Sequence, residues 1–224
     1  MSSTKPFVDR LKKVSELLEK AATWNGSGLA VDAKSDDFVY ELMCYFHIAV
    51  CASGAYSCSI GGNVHAPAKG KKKAKWPKKP ALKENFSYIS LSEPIDGSEA
   101  FQLCPGIEVS DKHGKARAPD VNLLGAGAPD RPSFGDLHAC WDAKHTNRDG
   151  SRLPDTAVSD FAFTYQQLGR PCPPATWTRR VTDVVCKKSG LLTNGNESTE
   201  PLAVLQSYGI AETSFFPLSP VTRS

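Results

Sequence analysis

The sequence contains no long apolar run and no recognisable secretory signal. None of its hydrophobic stretches approaches the roughly 20 residues that a helix needs to cross a bilayer. The first 20 residues, MSSTKPFVDRLKKVSELLEK, have the pattern of an amphipathic helix and lack the apolar core of a signal peptide. These features argue against a membrane-spanning helix and against secretion. We therefore expect a cytoplasmic protein with no membrane partner.

The sequence also lacks the short motifs that mark several common enzyme classes. It has no GxSxG turn, no Walker phosphate-binding loop, no HExxH motif and no dinucleotide-binding glycine fingerprint. These absences argue against α/β-hydrolases, P-loop nucleotidases, zincin proteases and Rossmann-type dehydrogenases.

The cysteines do not form the pairs that zinc sites favour. There are seven, an odd number, and no two of them form a CxxC pair. Cys44, Cys51 and Cys58 are spaced seven apart in an apolar stretch, so they would share one helical face. They could be metal or redox ligands, but small buried hydrophobic residues are the favoured interpretation. We predict that all seven cysteines are reduced.

Positive charge is concentrated in one segment. Residues 65–83 contain eight lysines and no acidic residue, although the net charge of the whole chain is only +3. A segment rich in Lys, Pro and Gly cannot build a core, so we predict an exposed loop. Its lysines could bind a nucleic-acid backbone or could simply solubilise the loop. The nucleic-acid-binding candidates are Lys71, Lys72, Lys73, Lys75, Lys78 and Lys79.

The length of 224 residues suits a single domain spanning 1–224. Residues 1–34 are predicted to be an N-terminal helix followed by a connection. A second helix is predicted to begin at Ser35 or Asp36 and to continue to Cys58. This helix is apolar almost all round, so a carboxylate in its first turns is unexpected unless it is paired or binds a metal.

The rest of the chain predicts an α/β fold. Strands are predicted near 86–91, 100–109, 121–124, 136–145, 181–195 and 211–218, and helices over 155–169 and 201–210. An antiparallel meander followed by strand–helix–strand units would form a mixed central sheet flanked by helices.

Two aspartates are predicted to meet at one end of this sheet. If 121–124 and 137–143 pair as a hairpin, Asp120 and Asp142 face each other across it. Lys144 would share a strand face with Asp142. The two carboxylates repel each other unless a cation lies between them, and oxygen ligands suit Mg²⁺ or Mn²⁺.

Pro119-Asp120 and Asp142-Ala143-Lys144 resemble the active-site motif of the PD-(D/E)XK nuclease superfamily. The resemblance implies a restriction-endonuclease-like fold over roughly 36–216. It implies that Asp120, Asp142 and Lys144 are catalytic, and that the metal ligands are Glu41, Asp120, Asp142 and the carbonyl of Ala143. A structural ion pair is the alternative for Glu41.

Three further residues are candidates for accessory roles. Glu108 could join the acidic cluster or could be an exposed strand residue. In some family members a glutamine on the helix after the lysine strand contributes to the site. Gln166 or Gln167 could play that part, or both could be ordinary residues of the helix surface.

The resemblance implies metal-dependent hydrolysis of phosphodiester bonds. DNA is favoured over RNA because the sequence has no aromatic-rich platform for RNA. No sequence-reading motif is present, so we expect selectivity to come from shape, from a regulatory protein partner or homodimer, or from an activating event. A prokaryotic defence or mobile-element system would be a natural setting. The alternatives are a catalytically inactive nucleic-acid-binding or scaffold subunit, and a small domain that binds a protein partner through its lysines.

Overall fold

The structure, a computed structural model, describes residues 36–65, 73–74, 76–146, 151–196 and 209–213. The predicted N-terminal helix and connection, and most of the predicted helix at 201–210, lie outside the described residues. No helix within the described ranges is long and apolar enough to cross a membrane.

The described elements alternate between short strands and a few helices. The helices are α1 (Asp36–Ala52), α2 (Asp155–Gln167) and α3 (Ala175–Arg180), with 3₁₀ turns at Lys83–Asn85, Phe134–Asp136 and Val184–Lys187. The strands are β1 (Ser57–Gly62), β2 (Val64–His65), β3 (Lys73–Ala74), β4 (Ser87–Ser92), β5 (Glu99–Pro105), β6 (Val109–Ser110), β7 (Ala116–Arg117), β8 (Val121–Gly125), β9 (Leu137–Lys144), β10 (Gly190–Thr193) and β11 (Ala211–Thr213).

Seven strands form one mixed sheet in the order β1-β4-β5-β8-β9-β10-β11. The pairs from β1 to β9 are antiparallel, whereas β9, β10 and β11 are parallel neighbours. The chain crosses from β9 to β10 through α2 and α3, because a parallel connection needs a crossover. The predicted α/β class and mixed sheet are confirmed.

Helices cover both faces of the sheet. α1 packs on one face, where Leu123 and Trp141 are fully buried. α2 covers the opposite face and buries Phe161 and Tyr165 near Cys140. Each large apolar side chain removed from water in this way contributes roughly 1.5–3 kcal/mol. The sheet is therefore the middle layer, and its strand ends are the places where polar side chains from different layers can meet.

α1 is shorter than predicted. It ends at Ala52, where the Ser53 hydroxyl donates a 2.7 Å hydrogen bond to the carbonyl oxygen of Val50 and a turn follows. Bonds of this kind compete with the helical ladder. The predicted continuation to Cys58 is wrong, because Cys58 lies in β1 opposite Leu91. The three cysteines spaced by seven thus do not share a helical face, although all seven cysteines are free, as predicted.

Part of the lysine-rich segment 65–83 is not an exposed loop. The ring of Trp76 packs edge-on against Phe46, with the ring centres 5.5 Å apart. Lys83 is only 4% exposed, and its ammonium donates to the carbonyl oxygen of Ala128. The prediction fails here because the aromatic ring gains from burial and the buried ammonium has a carbonyl partner.

The segment before β10 also differs from its prediction. The region 181–195 was predicted as a bent strand, but the 3₁₀ turn Val184–Lys187 occupies its first half. α3 was not predicted, because its six residues are too few to show helical periodicity. The indole N–H of Trp177 in α3 donates a 2.7 Å hydrogen bond to the carbonyl of Cys186, which ties α3 to this turn.

Candidate functional site

Asp120 and Asp142 lie opposite each other at the end of the β8–β9 hairpin. The register pairs Val121 with Trp141, and one further step along both chains leads to the two aspartates. The predicted hairpin register is confirmed. It places two carboxylates of the same charge at one edge of the sheet.

Hydrogen bonds hold the Pro119–Asp120 turn from three directions. The backbone N–H of Gly106 donates to the Asp120 carbonyl at 2.8 Å. The amide of Asn122, which is fully buried, donates to the Pro119 carbonyl at 3.0 Å. The backbone N–H of Ala143 donates to Oδ2 of Asp120 at 2.7 Å. The Asp120 carboxylate therefore replaces a strand partner for Ala143 and has a defined position.

Asp142 and Lys144 lie on the same face of β9, as the two-residue period of a strand predicts. Nζ of Lys144 lies 2.6 Å from Oδ2 of Asp142. Trp141 and Ala143, the residues before and after Asp142, are buried on the opposite face of the strand. The side chains of Lys144 and Asp142 are 36% and 18% exposed. This ion pair is therefore accessible from solvent.

Glu41 reaches the same place from the second turn of α1. Burial and the negative charge of Asp142 raise the pKa of Glu41 to about 7, with a smaller contribution from Asp37 and an opposing one from Lys144. These interactions show that the helix carboxylate lies within electrostatic range of the strand residues. The structure thus brings together the three acids and the lysine that were predicted as a site.

The cluster carries an excess of negative charge. Burial raises the pKa of Asp120 well above its ordinary value, and the charges of Asp142 and Glu41 raise it further. Burial alone would lower the pKa of Lys144, but the carboxylates around it outweigh burial and raise it. Because three acids surround one ammonium, a bound cation would relieve their mutual repulsion.

The donor atoms of this cluster suit a hard divalent ion, since carboxylate and carbonyl oxygens are the ligands that Mg²⁺ prefers. Asp120 and Asp142 interact through a side-chain hydrogen bond, but the three carboxylates together are more widely spread than one shared ion requires. Within the described residues, Glu41, Asp120 and Asp142 do not form a group whose ligand atoms all lie within 4.8 Å of one another. A shared ion would draw them together and would compete with Lys144 for the nearby Asp142 oxygen.

The two glutamines lie away from the acidic cluster. Gln166 and Gln167 form the end of α2, and the backbone N–H of Lys112 donates to the Gln167 carbonyl at 3.2 Å. Gly169, just beyond them, faces the ring of Phe134, which precedes β9. The end of α2 therefore lies near the start of β9, whereas Asp142 is near its end. The structure does not bring either glutamine to the cluster.

Glu108 lies between β5 and β6, outside the seven-stranded sheet, and is not part of the cluster. Its backbone N–H donates to the Ala81 carbonyl at 2.8 Å, and its side chain is half-buried. It is not among the charged groups that shift the pKa of Asp120.

The predicted nucleic-acid-binding lysines are described only in part. Lys78 and Lys79 are exposed. Lys73 lies in β3, which pairs with β2, and Lys71, Lys72 and Lys75 lie outside the described residues.

A second cluster was missed at the level of sequence. His47, Cys51 and Asp183 bring one ligand atom each within 4.8 Å of one another. Cys51, interpreted from sequence as a buried hydrophobic residue, instead donates to Oδ2 of Asp183 at 3.4 Å. The available signal was the four-residue spacing of His47 and Cys51 on a predicted helix, which places both side chains on one face.

The sequence matches no protein-family model, and no match was found among the curated proteins or among the solved structures. The function of either cluster therefore rests on its own geometry and chemistry.

Proposed function

We propose that this protein is a metal-dependent nuclease that hydrolyses phosphodiester bonds, with DNA as the favoured substrate. The observation that carries the proposal is the meeting of Asp120 and Asp142 across one hairpin, with Lys144 2.6 Å from Asp142. Glu41 adds a third carboxylate from α1, the helix that packs on the sheet face carrying Trp141. Independent surface charges would have no reason to converge from three elements on a partly buried strand end.

The arrangement of layers supports a restriction-endonuclease-like fold, which we include in the proposal. An antiparallel meander leads into β9, the crossover through α2 leads to the parallel strand β10, and helices cover both faces. Asp120 immediately precedes β8, and Asp142 and Lys144 lie at the end of β9, just before this crossover.

Glu41, Asp120, Asp142 and the carbonyl of Ala143 are the groups that would hold Mg²⁺ or Mn²⁺. When bound, the ion would lower the pKa of a water molecule and neutralise charge developing on the phosphate. The donor set fits this role because every member is an oxygen ligand. The raised pKa of Asp120 and of Glu41 means that both acids bind protons more readily than usual, so metal and protons compete for the same site.

Lys144 supplies positive charge to the reacting phosphate. Its pKa is raised by the surrounding carboxylates, so the ammonium form persists at neutral pH and above. A permanently charged ammonium stabilises the additional negative charge of the transition state and orients the attacking water; it is poorly suited to removing a proton. Asp142 holds the ammonium in position through their ion pair.

Substrate attraction would come from exposed lysines. Lys78 and Lys79 are exposed and belong to the basic segment, so they can contact phosphates without reading base sequence. A nuclease with little sequence specificity needs a partner that recruits or restrains it. We therefore propose that it acts as the effector of a prokaryotic defence or mobile-element system.

A cleavage assay tests the proposal. Supercoiled plasmid, linear duplex, single-stranded DNA and RNA are each incubated with Mg²⁺, Mn²⁺ or EDTA. The wild type is compared with Lys144→Ala and with Lys188→Ala, which removes an exposed lysine elsewhere. We expect cutting that requires the metal and falls at least about a hundredfold in Lys144→Ala alone.

Other outcomes separate the alternatives. Cutting that continues in EDTA and in Lys144→Ala would contradict the proposed site. No cutting, with a metal-dependent rise in melting temperature, would indicate an enzyme that awaits its partner. Neither cutting nor a metal effect would favour an inactive nucleic-acid-binding or scaffold subunit.

A further inference from the structure

We propose that His47, Cys51, Asp183 and Cys186 form a zinc site that joins the second half of α1 to the 3₁₀ turn before β10. This site is separate from the acidic cluster and does not depend on the nuclease proposal. His47 is six residues beyond Glu41 on α1, a rise of about 9 Å along the helix.

The distances between ligand atoms match those of a tetrahedral zinc site. Oδ2 of Asp183 lies 3.3 Å from Nε2 of His47 and 3.4 Å from Sγ of Cys51. Zinc binds nitrogen, oxygen and sulfur at about 2.0–2.3 Å, so its tetrahedral ligand atoms are roughly 3.3–3.8 Å apart. The two distances from Asp183 therefore already match those that a shared ion would impose, and the ligand atoms of His47 and Cys51 lie within 4.8 Å of each other.

The arrangement differs from a catalytic Cys–His–Asp relay. In a relay the imidazole stands between the nucleophile and the carboxylate, and each ring nitrogen contacts one of them. Here a single oxygen of Asp183 contacts both Nε2 of His47 and the thiol of Cys51. The three ligand atoms lie within 4.8 Å of one another, close enough to share one ion.

The fourth ligand comes from the same turn as Asp183. Asp183 and Cys186 are three residues apart at the two ends of one helical turn. The Cys186 thiol interacts with that of Cys51, but it lies outside the group of three residues whose ligand atoms are all within 4.8 Å of one another, so it would move toward the other ligands when an ion binds. The set of two sulfurs, one nitrogen and one oxygen is typical of zinc and unlike the all-oxygen set of the acidic cluster.

The fold holds this turn in place before any ion binds. Oδ1 of Asp183 accepts a 2.9 Å hydrogen bond from the backbone N–H of Val185, which leaves Oδ2 directed at the cluster. The indole of Trp141 donates to the Val185 carbonyl at 3.3 Å, and that of Trp177 donates to the Cys186 carbonyl at 2.7 Å. Both tryptophans are fully buried, so two rigid core side chains position the turn that carries two ligands.

The burial of the cluster indicates a structural role for the zinc. His47 is 6% exposed and Cys186 is completely buried, whereas the Asp183 side chain is 31% exposed; with four protein ligands the ion would have no open position for a substrate. The ion would connect α1, which carries Glu41, to the segment that leads into β10. Its removal is expected to destabilise the contact between helix and sheet.

The test measures zinc on the purified full-length chain. The protein is equilibrated with zinc under reducing conditions, dialysed and analysed for bound metal, and cobalt is then substituted to record its visible spectrum. We expect one zinc per chain and the intense absorption of tetrahedral cobalt with thiolate ligands. Cys51→Ser and Asp183→Asn are each expected to weaken zinc binding at least about tenfold.

Matched controls distinguish this site from others. Cys172→Ser removes an exposed cysteine outside the cluster, and Asp130→Asn removes an exposed carboxylate outside both clusters. Both should bind zinc like the wild type. Asp183→Asn retains an oxygen that can accept the Val185 N–H, and circular dichroism checks that each variant is folded.

Three results would overturn the proposal. The first is zinc well below one per chain in the folded wild type. The second is zinc binding unchanged in both Cys51→Ser and Asp183→Asn. The third is a Cys51–Cys186 disulfide that forms in the purified protein despite added zinc, shown by mass spectrometry without reduction.

Discussion

The carboxylate of Asp120 accepts a 2.7 Å hydrogen bond from the backbone N–H of Ala143, the residue between Asp142 and Lys144. In a β-strand, the N–H and C=O of one residue point toward the same neighbouring strand. The Ala143 carbonyl therefore faces the side of β9 on which Asp120 lies. This supports the proposal that Asp120 and the Ala143 carbonyl bind one metal ion together.

Glu41→Gln is expected to stabilise the metal-free protein at pH 8 but much less at pH 4.5. The folded-state pKa of Glu41 is about 7 against an ordinary value of 4.5. A raised carboxyl pKa contributes stability that is fully present below the unfolded-state value and is lost as pH rises through the folded-state value. Glutamine does not ionise and avoids this loss. The free energy of unfolding of the variant, relative to that of the wild type, should therefore rise by roughly 1–2 kcal/mol from pH 4.5 to pH 8, given partial solvent screening.

Urea unfolding in EDTA at several pH values measures this difference. Glu84→Gln, at an exposed position, serves as the control and should show no comparable trend. A difference between Glu41→Gln and the wild type that stays constant from pH 4.5 to pH 8 would show that Glu41 does not have a raised pKa.

Asp142→Asn is expected to remove most of the thermal stabilisation by Mg²⁺ or Mn²⁺. At a metal concentration a hundredfold above Kd, binding stabilises the folded wild type by about 2.7 kcal/mol. For a chain of this length that corresponds to a rise in Tm of roughly 5–10 °C. Lys144→Met should keep this rise while losing cleavage, because it removes a cation that competes for Asp142.

Differential scanning fluorimetry with and without metal makes this comparison. Asp130→Asn, at an exposed loop position, is the control for a general loss of negative charge. An equal metal response in the wild type and Asp142→Asn would place any bound ion elsewhere.

Asn122→Leu is expected to impair cleavage more than its effect on stability explains. The Asn122 amide donates to the carbonyl of Pro119, the residue before Asp120. Leucine leaves this carbonyl without its donor, which costs roughly 1–3 kcal/mol and releases the turn that positions Asp120. Cleavage at a temperature where the variant is fully folded should show a lower kcat. Asn63→Leu, at an exposed site, is the control, and a variant with lower Tm but normal kcat would show that Asn122 is only structural.

Replacing Lys78 and Lys79 together by alanine is expected to weaken nucleic-acid binding and its salt dependence. Each lost phosphate contact reduces the slope of log K against log salt by about 0.9 for duplex DNA, so the slope should fall by up to about 2. Fluorescence anisotropy over a range of salt concentrations measures the slope. The double variant Lys112→Ala, Lys115→Ala makes the same change of charge at exposed positions elsewhere. Equal slopes in the two double variants would show that Lys78 and Lys79 contact phosphates no more than other exposed lysines do.

The sequence by itself determined the hairpin that carries Asp120, Asp142 and Lys144. The strand period and the symmetry of a hairpin about its loop depend on neighbouring residues, and β8 and β9 have the register that this symmetry predicts. The α/β class could be predicted for the same reason, because local sequence patterns indicate strands and helices. Short elements such as α3 were missed because six residues show too little periodicity.

Only the tertiary structure decided which distant side chains meet. His47 and Asp183 are 136 residues apart in sequence but 3.3 Å apart in space, and no local pattern links them. The same holds for Glu41, which reaches Asp142 through the packing of α1 on the sheet, and for Lys83, which finds a carbonyl partner in the interior. Hydrogen-bond register is set by adjacent chain segments, whereas a cluster built from separate layers depends on how helices and sheet pack as a whole.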